Sequence, residues 1–210
     1  MKTFKLHLIR HGLTQGNLDG VFVGGSQDLP LCAQGTAGLH TMAQQYRYPA
    51  APLLFLSPML RAAQTADILF PAIARRVKLE DLREYQFGEF EGQKAADLAH
   101  NEGFLQWLNP QSDIAPAGGE DGKTFAARTA RALHTMLMQQ VTEGITEAIC
   151  VTHGGVIMSM LGQKALPKKP PVEWRSENGC GFTVQTDTAM LMRDGLVEAV
   201  RILPHGYMEE

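Results

Sequence analysis

A dense apolar run from Phe4 to Ile9 has the length of a buried strand and leads without a break into Arg10-His11-Gly12. A loop rich in Gly and Asp follows through about Leu31, and a helix is predicted from Ala33 to Tyr46. Leu53-Leu54-Phe55-Leu56, bounded by Pro52 and Ser57, is a second run of strand length. Ser57-Pro58 predicts the start of another helix, a capping hydroxyl followed by proline at the first helical position, and Pro71 stops that helix after Phe70. Val77 to Leu79 reads as a short edge strand. Beyond Glu84 the pattern predicts a loop, a helix around Lys94 to Leu108, a loop over Gln111 to Asp121, and a long helix from about Gly122. Ala148 to Val151 is a further strand, followed by Thr152-His153-Gly154-Gly155 and a helix to about Gly162. The tail reads as antiparallel strands at Gly181 to Thr186, Ala189 to Met192 and Val197 to Leu203, with Asp194-Gly195 as the hairpin turn.

Strands alternating with helices indicate an α/β fold with a mainly parallel sheet covered on both faces. No repeat, low-complexity tract or linker interrupts the pattern, so residues 1–210 are read as one domain. Composition agrees: 210 residues, 44% apolar and 20% charged, can bury a core and remain soluble. The net charge of −3 gives no general attraction to nucleic acid or to an anionic membrane, so any anion site must be a local cluster of basic groups. Cys32, Cys150 and Cys180 are far apart and odd in number, which argues against a disulfide framework or a thiolate zinc site and for reduced thiols. The N-terminus has no signal-type apolar run, and no stretch approaches the ~20 apolar residues of a membrane span. A cytoplasmic protein is expected.

Three basic motifs share one position. Arg10-His11-Gly12, Ser57-Pro58-Met59-Leu60-Arg61 and Val151-Thr152-His153-Gly154 each sit just past a predicted strand, the place where open α/β sheets bind ligands. If those strands are neighbours, two Arg and two His share one crevice. Arg61 falls in the first turn of its helix, where the macrodipole disfavours a cation by about 0.3–1 kcal/mol. An anion held between the helix terminus and the guanidinium reverses that penalty. Gly12 and Gly154 permit close backbone approach to such an anion. No CxxxxxR loop and no GxxxxGK[ST] loop is present, so neither a cysteinyl phosphatase nor that route to nucleotide binding is supported. A neutral His11 can attack phosphorus, and nearby cations favour its neutral form while they neutralise the transferring phosphoryl group. A metal held by His11, His153 and Glu84 is the rival use of these residues; two arginines repel a dication, so no metal or other cofactor is expected.

Leu8-Ile9-Arg10-His11-Gly12-Leu13-Thr14-Gln15-Gly16-Asn17 resembles the RHGxTxxN signature of the histidine phosphatase superfamily, the phosphoglycerate-mutase-like proteins. Asp28-Leu29-Pro30-Leu31 with Gly35, Ser57 to Ala66, Leu82 to Gly92 and Val151 to Val156 resemble further segments of that family, in the family's order. The resemblance implies a three-layer α/β/α sandwich with a helical lobe, residues 84–145, over the active site. It implies that His11 is the phosphorylated nucleophile, that Arg10, Arg61 and His153 bind the phosphate with help from Asn17 and Gly154, and that Glu84 is the general acid and later the base. Glu89 and Glu91 are fallback acids. Cys32 stands where Thr or Ser usually caps the next helix, and Cys is a poor cap. The extra basic residues with which mutases grip a carboxylate are not evident, which favours hydrolysis and a place near the alpha-ribazole and broad-specificity bacterial phosphatases. The expectation is a phosphomonoester hydrolase acting on a small phosphorylated metabolite, with no nucleic-acid or membrane partner and compatible with a homodimer. The alternatives are a phosphoglycerate-type mutase and a non-catalytic phospholigand sensor, the latter disfavoured because none of His11, Arg10, Arg61, His153 and Glu84 is missing. Phe22, Phe87, Phe90 and Trp107 read as core, with Phe87 and Phe90 the candidates for lining a cleft beside Glu84. His7, His40, His100, His134 and His205 have no motif context.

Overall fold

The computed structural model describes residues 2–108 and 114–207. Its strands are β1 (Thr3–Arg10), β2 (Tyr46–Arg47), β3 (Leu54–Leu56), β4 (Arg76–Lys78), β5 (Glu147–Thr152), β6 (Ala165–Leu166), β7 (Gly181–Asp187), β8 (Val197–Leu203) and β9 (His205–Tyr207). Its α-helices are α1 (Gln15–Asp19), α2 (Ala33–Gln45), α3 (Leu60–Leu69), α4 (Glu102–Leu108), α5 (Gly122–Glu143), α6 (Gly154–Lys164) and α7 (Thr188–Asp194). Seven strands form the central sheet in the order β4-β3-β5-β1-β7-β8-β6, and β2 pairs with β9 separately. β4, β3, β5 and β1 run parallel, while β7 is antiparallel to both β1 and β8.

Both faces of the parallel strands are apolar, as strands buried on two sides must be. Leu6, Leu8, Phe55, Ala148 and Cys150 pack against Leu133, Met136 and Leu137 of α5 and Val156, Ile157 and Met160 of α6. Ile9, Leu54, Leu56, Ile149 and Val151 point the other way, onto Ala62 and Ala66 of α3. That alternation is the physical origin of a helix–sheet–helix sandwich. No helix among the described residues is long and apolar enough to cross a membrane.

Two expectations are corrected. Ala189 to Met192 is helix, not strand: Asp187 Oδ1 accepts the Met190 N–H at 2.9 Å, and Gly195, at φ 61°, is the left-handed C-cap of α7 rather than a hairpin residue. The helix expected from Lys94 begins at Glu102, where Asn101 Oδ1 accepts the Phe104 N–H at 2.9 Å. Cys32 stands at the N-cap of α2 as expected, its Sγ accepting the Gly35 N–H at 3.3 Å. The expected loop over Gln111 to Asp121 lies outside the described residues at 111–113, and its remainder runs without regular structure into α5.

Candidate active site

The parallel register delivers the three basic motifs to one place. Arg10 lies beside Thr152, and Leu56 beside Val151, so His11, Ser57 and His153 leave adjacent strands at the same level. The loop after β1 is held on every side. His11 N–H donates to Thr152 O at 2.9 Å, Gly12 N–H to Thr65 Oγ1 at 2.8 Å, and the Asn178 amide to His11 O at 2.9 Å. Thr65 donates in turn to Arg61 O at 2.7 Å, tying this loop to the first turn of α3.

His11 is buried, and its Nδ1 lies 2.6 Å from Gly12 O. A carbonyl only accepts, so Nδ1 carries the proton of the neutral ring and Nε2 keeps the lone pair. Burial, and after it the Arg61 guanidinium, push the His11 pKa down to about 3; Arg10 adds to this, and the bond to Gly12 opposes it in part. The His153 ring is edge-on to it, with centroids 5.1 Å apart, and its Nε2 lies 2.7 Å from Ser57 Oγ. Ser57 Oγ also accepts the Met59 N–H at 3.4 Å. The other ring nitrogen of His153, Nδ1, is buried and has no hydrogen-bond partner among the described residues. Burial, followed by His11 and Arg61, lowers the His153 pKa well below the ordinary imidazole range.

Ser57 therefore does not open a helix as expected. Its hydroxyl is committed to His153, α3 begins at Leu60, and the Leu60 N–H donates instead to Asp28 Oδ1 at 2.6 Å. Arg61 sits in the first helical turn, fully buried; Nη1 donates to Gln27 O at 2.9 Å and Nη2 to Gly24 O at 3.2 Å. Arg10 Nη1 donates to Ser176 O at 2.7 Å. The Nε–H groups of Arg10 and Arg61 are buried and without a partner among the described residues. Glu84 offsets part of the cost of burying these two guanidinia, and an anion seated on their unspent donors offsets more of it. Asn17 lines the same cavity; its Oδ1 accepts the Thr14 N–H at 3.1 Å as part of the α1 cap. Gly154, the first residue of α6, lets Arg10 lie against it: an added Cβ would sit 3.3 Å from Arg10 Nε.

Glu84 closes the site from the opposite side. Its Oε1 accepts the Tyr85 N–H at 2.9 Å and its Oε2 the Gly155 N–H at 3.0 Å. The backbone around it is clamped by Arg128 of α5, which donates to Asp81 O at 2.9 Å, Arg83 O at 2.7 Å and Glu84 O at 3.0 Å while pairing with Glu120 at 2.5 Å. Thr152 Oγ1 adds a bond to Leu82 O at 2.9 Å. Arg128 and Ser57 are the two residues sequence reasoning missed. Glu89 and Glu91 do not line the cavity; they accept from Ala117 N–H and Ser26 N–H, at 3.0 and 3.3 Å.

The cavity measures about 260 Å³ and is lined by Arg10, His11, Asn17, Glu84, Gly154, Gly155 and Ser176, whereas Arg61 and His153 are not among its lining residues. Val21, Phe22, Val23, Phe87, Met158 and Arg175 complete it. Phe22 and Phe87 pack with ring centroids 5.0 Å apart at its wall, whereas Phe90 is core and Trp107 donates to Tyr85 Oη at 3.0 Å.

The depressed histidines carry a stability consequence with a definite sign. When pH falls below about 6.5, an unfolded His11 takes up a proton that the folded one refuses until about 3. The stabilisation is complete above pH 6.5 and is lost on acidification towards 3, the slope from His11 alone approaching about 1.4 kcal/mol per pH unit in mid-range. Urea unfolding at pH 7, 6 and 5 is expected to show falling stability, and His11→Ala a flatter profile.

Comparison with known proteins gives this geometry a family. The model of the histidine phosphatase superfamily (branch 1) matches residues 6–185. The adenosylcobalamin/alpha-ribazole phosphatase of Escherichia coli is 28% identical over 183 residues, covering 84% of this chain and 87% of its own. The glucosyl-3-phosphoglycerate phosphatase of Mycolicibacterium vanbaalenii is 28% identical over 188 residues, covering 86% and 82%. Among solved structures, the alpha-ribazole phosphatase of Shigella flexneri superposes with a TM-score of 0.76 at 23% identity, covering 96% of each chain. The phosphoglycerate mutase of Bacillus anthracis gives 0.75 at 19%, covering 95% and 92%. These last two share the fold; the match over 6–185 does more, and on it the chain belongs to the histidine phosphatase superfamily.

Proposed function

We propose that this protein is a phosphomonoester hydrolase that carries the phosphoryl group on Nε2 of His11. One observation carries the reading: two buried Nε–H groups without partners among the described residues, on Arg10 and Arg61, and the equally unpartnered Nδ1 of His153 lie close to a histidine held neutral with its lone pair on Nε2. The donors take the non-bridging phosphate oxygens, with Asn17 and the Gly154 N–H beside them. His11 Nε2 attacks phosphorus in line; the bond to the leaving oxygen breaks, and Glu84 gives that oxygen its proton. Glu84 then takes a proton from water as it attacks, the P–N bond breaks, and His11 returns to its neutral form. Throughout, Nδ1–H stays on Gly12 O, which helps the ring bear positive charge while it is phosphorylated.

The leaving group faces Val21, Phe22, Val23, Phe87 and Met158, so a small substrate with an apolar or aromatic portion fits. An alpha-ribazole phosphate, suggested by the names of the E. coli and Salmonella relatives, is the first candidate in a panel. Phosphoglycerate-type mutase chemistry is the alternative, but beyond Arg10 the cavity offers, among the described residues, Arg175 as its one further arginine for a substrate carboxylate. We read the enzyme as cytoplasmic, with a small phosphorylated partner and neither nucleic acid nor membrane. The test is hydrolysis of an aryl phosphate by enzyme dialysed against EDTA. Full activity is expected; a requirement for added metal contradicts the mechanism.

Gly155 offers a finer check. A Cβ there would lie 2.4 Å from Glu84 Oε1, so Gly155→Ala must push the carboxylate away. The expected result is a loss of kcat of about 10² with inorganic phosphate binding retained, because a displacement of about 1 Å suffices.

A further inference from the structure

A second concentration of positive charge lies away from the catalytic pocket and shares no lining residue with it. It is a cavity of about 530 Å³ on the α2–α3 side of the sheet, near the start of β1, roofed by the segment after β2 and by β9. Lys5, Arg47, Arg201, His7 and His205 line it, with Glu147 its one carboxylate. This gathering occurs in a chain whose net charge is −3, so it is not a sample of a generally basic surface.

The charges inside the cavity do not cancel. Glu147 Oε1 pairs with Lys5 Nζ at 3.3 Å, and its Oε2 is turned towards His7. Arg47 and Arg201 have no acidic partner among the described residues. At the floor, His7 is 95% buried (5% exposed), and its Nδ1 lies 2.9 Å from Thr183 Oγ1. Its Nε2 is buried in no hydrogen bond, with Glu147 Oε2 at 3.6 Å, beyond hydrogen-bond reach. His205 Nδ1 is likewise buried and unpartnered. Buried polar atoms are ordinarily satisfied, and a cavity that sets two exposed arginines without carboxylate partners beside the unpartnered His205 Nδ1 offers an anion a place.

We propose that this cavity is a second anion site, taking a small molecule with at least two phosphate groups. Two phosphate groups match Arg47 and Arg201, each of whose planar forks can grip one phosphate. The volume, about twice that of the catalytic pocket, accommodates a bisphosphate or a nucleotide. The site sits on the strand that carries Arg10 and leads into His11, and it stands independently of the catalytic reading.

The test is calorimetric titration of methylenebisphosphonate, whose P–C–P bridge is not hydrolysed, into the full chain near physiological ionic strength. Inhibition of aryl phosphate hydrolysis reads the catalytic pocket separately. Wild type is expected to show a binding event in addition to the competitive one. Arg47→Ala and Arg201→Ala should each weaken it by about tenfold or more, with kcat and KM for the aryl phosphate unchanged when no bisphosphonate is present. Arg201→Lys should retain part of it. A single event that is wholly competitive with substrate overturns the proposal, as does an additional event indifferent to both alanine variants.

Discussion

Replacing His11 with alanine is expected to lower kcat for aryl phosphate hydrolysis by about 10⁴-fold or more, the loss typical of removing a covalent nucleophile. The clamp built from Arg10, Arg61 and His153 does not depend on the His11 side chain for its hydrogen bonds: Arg10 and Arg61 are held by Ser176 O, Gln27 O and Gly24 O, and His153 by Ser57. Inorganic phosphate should therefore still bind to the variant within a few-fold of its wild-type affinity. Loss of binding and turnover together would point to a folding defect, which circular dichroism distinguishes. Turnover within tenfold of wild type contradicts the assignment of the nucleophile.

Glu84→Gln is the second large effect. The amide keeps the shape of the side chain but cannot donate a proton to an alkoxide and then recover it, and general acid catalysis contributes about 10²–10⁴. Alkyl phosphates, whose leaving oxygens need that proton, should lose activity in this range, while aryl phosphates with acidic phenols should lose far less. A plot of kcat/KM against leaving-group acidity becomes steeper in the variant. Parallel plots for wild type and variant would remove Glu84 from that role. Arg128→Ala should reproduce part of the steepening, because the guanidinium donates to the backbone oxygens of Asp81, Arg83 and Glu84 and so sets where the carboxyl points.

How the site assembles was partly legible from sequence, and the reason is topological. His11, Ser57 and His153 each follow a strand, and once β3, β5 and β1 are neighbours their ends must meet. The apolar runs that define those strands are unambiguous because they are buried on both faces. Arg128 was illegible: it is 44 residues from Glu84, and its bonds to that segment's backbone depend on how α5 crosses the 81–84 segment. Ser57 was read by its local grammar, as a helix cap, while its hydroxyl is taken by a histidine 96 residues away. Thr188 to Asp194 shows the converse, a local ambiguity. Asp194-Gly195 suits a hairpin, but Met and Leu are strong helix formers and Asp187 and Gly195 are equally good caps, so capping decided the outcome.

The account rests on a phosphorus–nitrogen bond, and trapping it is the most direct measurement. Enzyme mixed with a ³²P-labelled monoester, quenched in alkali within one turnover and digested, should carry its label on the peptide containing His11. That label should survive base and be released by acid, as phosphoramidates are. Absence of labelled protein, or an acid-stable label on any other residue, would contradict the central claim.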